Sequence, residues 1–258
     1  MPEVTAPYAP GTPCWVDLMV PDQQAALDFY RDLFGWQGEV GPPETGGYSV
    51  CTKNGKPVAG IGPVQAPDAP TVWTTYISSD DAPATHSAVT AAGGTPLTEV
   101  MDVMTLGQMF LAADPAGAVF GVWGHKDFFG AGLVNEDGTL VWNECNSRGA
   151  EAAMAFYAAA FGVTFTEADG MGGYQEIRVE GKPVGGLQQM KPPYFTPETP
   201  SYWGVYFAVD DVDSTVDAAV KRRADVVSPP TDTPVGRIAT LRDPWGATFS
   251  VITPTPQS

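Results

Sequence analysis

Two carboxylates carry most of the chemistry that this sequence offers. Asp17 stands in Trp-Val-Asp-Leu and Glu144 in Trp-Asn-Glu-Cys, each two residues after a tryptophan. In an extended strand, residues i and i+2 share a face, so Trp15 lies beside Asp17 and Trp142 beside Glu144. A carboxyl group kept dry by aromatic rings has its pKa raised, which suits a general base or acid. If the protein is an enzyme, Asp17 or Glu144 is its base; otherwise it has no catalytic residue. The rest of the reactive inventory is thin. There are two histidines, His86 and His125, and three cysteines, Cys14, Cys51 and Cys145, none of them in a CxxC pair. The thiols therefore read as reduced and packed. No GxSxG elbow, phosphate loop or dinucleotide fingerprint occurs. Asp80-Asp81 and Asp210-Asp211 read as helix starts, and Asp114-Pro115 and Asp243-Pro244 as turns.

The elements that must position these residues are written twice. FYRDLFGW at 29–36 is answered by FYAAAFGV at 156–163, and GGY at 46–48 by GGY at 172–174. GKPVAGI at 55–61 returns as GKPVGGL at 181–187, and DPAGAVF at 114–120 as DPWGATF at 243–249. Order and spacing persist almost throughout, which is the mark of a tandem duplication of one domain of about 125 residues. We read a first domain over 1–126, a connector over 127–138 and a second domain over 139–258.

Within the first half, CWVDLMV reads as a strand, and Ala25, Ala26, Phe29, Tyr30 and Phe34 fall at helical spacing. Asp22 is the expected helix cap, Gly35 the expected stop and Asn54-Gly55 a tight hairpin turn. A second strand-helix-strands unit follows from Val72. The sequence thus predicts an α+β fold of four βαβββ units in two curved, mostly antiparallel sheets.

The 258 residues are 43% hydrophobic, ample for a buried core, and carry a formal charge of −17. Such a surface repels phosphate backbones and anionic lipid, so neither nucleic acid nor membrane is an expected partner. No apolar run is long enough to cross a bilayer, and the N-terminal residues lack a secretion signal, so the cytoplasm is the expected compartment.

The pattern of FYxxxFG after an early strand and DPxG before the last one resembles the vicinal oxygen chelate superfamily. That family includes glyoxalase I, extradiol dioxygenases, and fosfomycin- and bleomycin-resistance proteins. WNE at 142–144 and GLVNEDG at 132–138 are similar to its two-domain glyoxalase-like branch. The resemblance implies paired βαβββ units around cavities, with the two halves acting as a built-in dimer; a monomer or a homodimer of such chains is expected.

Catalytic members hold a divalent metal through two histidines and one or two glutamates. The resemblance places those ligand positions at Trp15, Gly60, Thr74 and Gly121, and at Trp142, Gly186, Gly204 and Ser250. Neither histidine falls on one, so no metal and no other cofactor is expected. Small residues at these places imply a wide cavity, and Tyr76, Trp123 and Tyr206 alternate onto its walls. Met104 in the 100–110 hairpin, and Gln188 and Tyr194 around a Pro-rich loop that reads either as a lid or as a structural connector, complete the expected ligand site.

The expected ligand is an aromatic or polycyclic small molecule. The expected function is metal-free sequestration of such a natural product, as in antibiotic self-resistance. The alternatives are a metal-independent lyase, isomerase or oxygenase-like enzyme on a polyketide-type substrate, and a metal-dependent glyoxalase or dioxygenase.

Overall fold

The computed structural model describes residues 3–66 and 69–255. Its first half runs β1 (Pro13–Val20), α1 (Gln23–Phe34), β2 (Ser49–Lys53), β3 (Lys56–Pro63), β4 (Trp73–Ser79), α2 (Ala82–Ala91), β5 (Thr95–Pro96), β6 (Met101–Val103), β7 (Gly107–Ala113) and β8 (Val119–His125). The second half runs β9 (Leu140–Ser147), α3 (Ala150–Phe161), β10 (Thr164–Glu167), β11 (Gln175–Val179), β12 (Lys182–Gln189), β13 (Tyr202–Ala208), α4 (Val212–Lys221), β14 (Asp225–Thr233), β15 (Gly236–Arg242) and β16 (Thr248–Pro254). Each half forms one curved eight-stranded sheet, so the α+β duplication stands. The first sheet has the order β2-β3-β1-β4-β8-β7-β5 with β6 on β7, and the second β10-β11-β12-β9-β13-β16-β15-β14.

Local signals sit where the sequence puts them. The Asp22 carboxylate accepts the Ala25 amide at 3.1 Å, and Gly35 ends α1 in the left-handed region at φ 74°, which glycine adopts without strain. Asp81 and Asp211 cap α2 and α4 in the same way. Two units depart from the βαβββ plan. In the second unit, the strand equivalent to β14 is split into β5 and β6, both paired with β7. The counterpart of β10 in the first unit is a single bridge between Gln37 and Thr52, because Gly38, Gly41, Pro42 and Pro43 follow and interrupt pairing.

Helices α2 and α4 pack on their own sheets, whereas α1 and α3 bridge their own sheet and the opposite half. Phe29, Tyr30 and Phe34 of α1 share a core with Val205, Phe207, Val216 and Phe249, while Phe156 and Tyr157 of α3 share one with Val89, Phe110, Phe120 and Val122. This explains why FY and DP are repeated together. The Tyr30 hydroxyl donates to Asp243 Oδ2 at 2.9 Å and accepts the Trp73 indole N–H at 3.1 Å. Tyr157 does the same with Asp114 at 3.2 Å and Trp203 at 2.8 Å. The other oxygen of each aspartate takes turn amides, those of Ala116 and Ala118 or of Trp245 and Ala247. Each aspartate therefore closes its own turn and anchors the opposite half, a dual role that the sequence reading as turns alone misses.

The seam is fastened further by Thr75 to Asn143 at 2.8 Å and by the Trp36 indole to the Gly138 carbonyl at 2.6 Å. Among the described residues, no helix is long and apolar enough to cross a membrane.

Candidate functional site

The helices occupy one face of each sheet, and the carboxylates lie on the other. On the second sheet, strand register sets three rows side by side. Gly186, Glu144 and Gly204 form one; Gln188, Asn146 and Tyr202 the next; Trp142, Tyr206, Ser250 and Thr240 the third. Glu144 is buried at the centre. Its Oε1 accepts Tyr206 Oη at 3.0 Å and Gln188 Nε2 at 2.9 Å, and the same Gln188 nitrogen donates to Asn146 Oδ1 at 2.8 Å. The Trp142 indole donates to Tyr174 Oη at 2.8 Å.

Burial pushes the Glu144 carboxyl above its usual range, while Tyr174, Tyr206, Gln188 and Asn146 pull it back. Burial, with the Glu144 charge, lifts the Tyr202 phenol to about 12, so it stays protonated at neutral pH. Around this buried carboxyl, Trp142, Tyr174, Gln188, Tyr202 and Tyr206 all keep partial exposure. A Cβ on Gly204 would meet Asn146 and Tyr202 at 3.5 Å, ordinary contact, so a methyl fits over that residue without displacing a neighbour.

The first sheet repeats the plan with a different outcome. Asp17 Oδ2 accepts Tyr48 Oη at 3.2 Å and Tyr76 Oη at 3.0 Å, and the Trp15 indole donates to Tyr48 Oη at 2.9 Å. Here, however, the expected wide cavity is filled. Phe128, from the segment after β8, packs edge-on against Trp15 at 4.9 Å and against Trp123 at 5.9 Å, and its carbonyl takes the Trp123 indole N–H at 2.8 Å. Tyr8, Ala131 and Val134 close over the same cluster, leaving Trp15, Asp17, Tyr76 and Trp123 between 4% and 6% exposed. Burial pushes the Asp17 carboxyl up to about 7, against the two tyrosine hydrogen bonds.

The structure brings Trp142, Glu144, Gln188 and Tyr206 together on one open face, and Trp15, Asp17, Tyr76 and Trp123 in one closed cluster. It does not bring Met104 or Tyr194 to either. Met104 is 60% exposed at a left-handed turn, φ 49°, and Tyr194 is 89% exposed. The loop carrying Tyr194 is tethered at its far side, where the Arg148 guanidinium holds the Thr196 and Thr199 carbonyls.

Tyr48, Tyr174, Asn146 and Tyr202 belong to the two clusters and were missed from sequence. The repeated GGY was the available signal for the first two. A cleft of about 580 Å³ opens at the seam between the halves, lined by Lys53, Asn135, Asp137 and Asp210 among others, and shares no residue with either cluster. Its one cation is already taken by the Phe34 carbonyl and by Asp137.

A family-type divalent metal does not fit these residues. A side chain at Gly60 would begin 1.8 Å from Tyr48 Oη, one at Gly186 would begin 1.7 Å from Tyr174 Oη, and one at Gly121 would begin 2.2 Å from the Tyr76 ring. Phenols thus occupy the space that ligand side chains would need. The donors left around each carboxyl are phenol, amide and indole groups, a poor match for an ion that wants imidazole and carboxylate together. Among the described residues, no three His, Cys, Asp or Glu side chains are grouped to hold an ion. His86 lies on α2 against Phe110, and His125 ends β8 beside Phe129.

Known proteins share this architecture and much of this sequence. CFP32 of Mycobacterium tuberculosis, whose name assigns it provisionally as a glyoxylase, is 43% identical over 97% of both chains. The anthracycline biosynthesis protein DnrV of Streptomyces peucetius is 38% identical over 95% of this chain and 94% of its own. Among solved structures, the Mn(II)-bound glyoxalase of Novosphingobium aromaticivorans superposes with a TM-score of 0.64 at 16% identity, over 95% of this chain and 82% of that one. The 2,3-dioxygenase LapB of Pseudomonas sp. KL28 gives 0.65 at 12% identity, over 98% and 95%. The sequence signature of one superfamily matches residues 13–122 and 144–251, in register with the two sheets. The chain belongs to the Glyoxalase/Bleomycin resistance protein/Dioxygenase superfamily.

Proposed function

We propose that the second-half face binds a flat, polycyclic aromatic natural product of the polyketide type without a metal, and that holding this molecule is the protein's task. The observation that carries the reading is the half-buried aromatic rim of Trp142, Tyr174, Tyr202 and Tyr206 around the partly exposed Gly204, floored by buried Glu144. Aromatic walls add about 0.5 to 1.5 kcal/mol per stacked pair beyond area burial, and a few fixed polar groups orient the ligand. Relatives named for anthracycline biosynthesis, DnrV and the 36%-identical DauV of a Streptomyces species, support a ligand of several fused rings. Sequestration as a means of antibiotic resistance is one use of such binding; it needs affinity and abundance but no turnover.

The test is titration of tryptophan fluorescence with flat three- and four-ring aromatics, for the wild type and Gly204→Val. The wild type is expected to bind at micromolar concentration. Gly204→Val, whose Cβ has room but whose methyls fill the space within the rim, is expected to fold normally and lose binding. Equal binding by the two proteins would place the ligand elsewhere, and no binding by the wild type would end the reading.

A second reading is favoured by the raised Glu144 carboxyl inside that same face. Glu144 there removes a proton from the bound ring system in a metal-independent lyase or isomerase step. Product formed from a bound candidate and lost in Glu144→Gln supports it, and a ligand recovered unchanged after long incubation counts against it. Asp17, sealed behind Phe128 and Tyr8, has no such role in this reading.

A further inference from the structure

We infer that the second-half face selects aromatics that present a free phenolic hydroxyl to Glu144 and Gln188, and rejects both the corresponding ethers and aromatic carboxylates. This rests on the reading that the face takes a flat aromatic molecule, and it follows from counting where hydrogens already go. Gln188 carries two N–H hydrogens, and both are committed, one to Glu144 Oε1 and one to Asn146 Oδ1. The carboxylate fixes the amide orientation, because a flipped Gln188 would set its carbonyl oxygen against Glu144. That in turn requires Asn146 to present its oxygen. What Gln188 has left to offer is a carbonyl, and what Glu144 has left is lone pairs.

The Asn146 amide nitrogen is turned to the Glu144 backbone carbonyl at 3.4 Å. The hydroxyls of Tyr202, Tyr206, Thr240 and Ser250 rotate and serve either sense, so they do not choose between ligands. The fixed donors are spent, since the Trp142 indole N–H goes to Tyr174 and the other Asn146 N–H helps to hold the Glu144 carboxyl down. The fixed-polarity groups with capacity left, Gln188 Oε1 and Glu144, are both acceptors.

A ligand that donates one hydroxyl hydrogen satisfies them. A methyl ether at the same position brings an oxygen to an acceptor and leaves buried polar atoms unmatched, a loss that discriminates strongly when a site is built around the missing hydrogen. A carboxylate is worse, since it adds a negative charge beside Glu144, with Glu176 in the same row, on a chain of net charge −17.

Calorimetric titration at pH 7 with phenanthren-9-ol, its methyl ether and phenanthrene-9-carboxylate tests the inference on the unmodified protein. The phenol is expected to bind about tenfold more tightly than the ether, the ratio that one well-made hydrogen bond supplies, and the carboxylate is expected to give no heat. In Glu144→Gln, where an amide can donate as well as accept, the preference for the phenol is expected to fall within about twofold while the ether gains. Should that variant fail to fold, the three-ligand comparison on the wild type decides alone. Equal affinity for phenol and ether, or tight binding of the carboxylate, overturns the inference and leaves the proposed aromatic site standing. No heat from any of the three overturns both.

Discussion

The two halves share a plan down to the hydrogen bond, yet their helix-free faces end differently. Trp15, Tyr48, Asp17 and Tyr76 repeat as Trp142, Tyr174, Glu144 and Tyr206, with the indole-to-phenol bond and the Tyr76-to-Asp17 bond kept as Trp142 to Tyr174 and Tyr206 to Glu144. The rows beside them diverge. Where the second half has Gln188, Asn146 and Tyr202, the first has Gly62 and Met19, and the Met19 sulfur fills the space that a side chain at Gly62 would need. Where the second half has Gly204 next to its carboxylate, the first has Thr74. Phe128 and Tyr8 then cover the first cluster. Both carboxyls are buried, but one is an internal polar knot and the other lies beneath a half-exposed aromatic rim with unused hydrogen-bonding capacity. A buried polar group is tolerated when satisfied, and one with capacity to spare can take a ligand.

The largest way to break this comparison is by pH. Asp17 titrates near 3.8 when exposed but is pushed up to about 7 by burial in the fold. Between those values the folded state holds a proton that the unfolded chain has released. This contribution is therefore fully present below about pH 4 and is lost as pH rises toward 7. The loss is on the order of 4 kcal/mol. Urea unfolding of wild type and Asp17→Asn across pH 4.5 to 7.5 measures it: the wild type is expected to lose stability steadily relative to the variant. Parallel curves would mean that Asp17 is hydrated and the first cluster open.

Glycines sharpen the comparison with a smaller effect. A Cβ at Gly121 would lie 2.2 Å from the Tyr76 ring, whereas at Gly204 the nearest atom is 3.5 Å away. Gly121→Ala is therefore expected to cost about 1 to 3 kcal/mol by overpacking. Gly204→Ala is expected to be neutral or to stabilise by about 0.5 kcal/mol, since alanine restricts the unfolded chain. The urea midpoints of the two variants should move in opposite directions or, at the least, by clearly different amounts. A similar cost for both would show that the second face is as tightly filled as the first.

The locks between the halves predict near symmetry where the faces predict difference. Tyr30→Phe removes the donor to Asp243 and the acceptor for the Trp73 indole, and Tyr157→Phe does the same to Asp114 and Trp203. Each is expected to cost about 1 to 3 kcal/mol, with Tyr157→Phe costing no more than Tyr30→Phe, because Asp114 keeps a weak contact from the Cys145 thiol at 3.8 Å. A larger loss for Tyr157→Phe in thermal unfolding would extend the asymmetry from the faces into the core.

How far the sequence reveals all this follows from which interactions are local. Strand alternation, Asp22, Gly35 and Asn54-Gly55 are decided within a few residues, so the α+β duplication and the pairing of Trp15 with Asp17 and Trp142 with Glu144 could be read directly. The emptiness of a cavity is not local. Gly60, Gly121 and Gly186 look like vacancies along the chain, but Tyr48, Tyr76 and Tyr174 reach into that space, in two cases from a GGY segment at least a dozen residues away. Closure of the first face depends on Phe128 and Tyr8 returning from outside the repeated strands, which no period in the sequence announces. Asp114 and Asp243 read correctly as turn residues, but their second oxygens bond across the molecule, and only the assembled fold shows that.

The smallest expected effects concern the two residues that joined neither cluster. Met104 and Tyr194 expose most of their surface and make no side-chain hydrogen bond among the described residues. Replacing either by serine removes little buried area, so stability should change by no more than about 0.5 kcal/mol. For Met104→Ser, affinity for an aromatic ligand should also stay within about twofold, because its turn belongs to the half whose face is filled. Tyr194→Ser is the sharper of the two. Its loop leaves β12 after Gln189, one residue beyond Gln188, and returns into β13 at Tyr202, so it spans the end of that row, tethered through Arg148. With the loop where the structure has it, binding is unchanged in Tyr194→Ser. A loss of affinity at constant unfolding midpoint would mean that the loop folds down and Tyr194 stacks on the ligand, and the second face would then differ from the first in having a cover that moves rather than one that is packed shut.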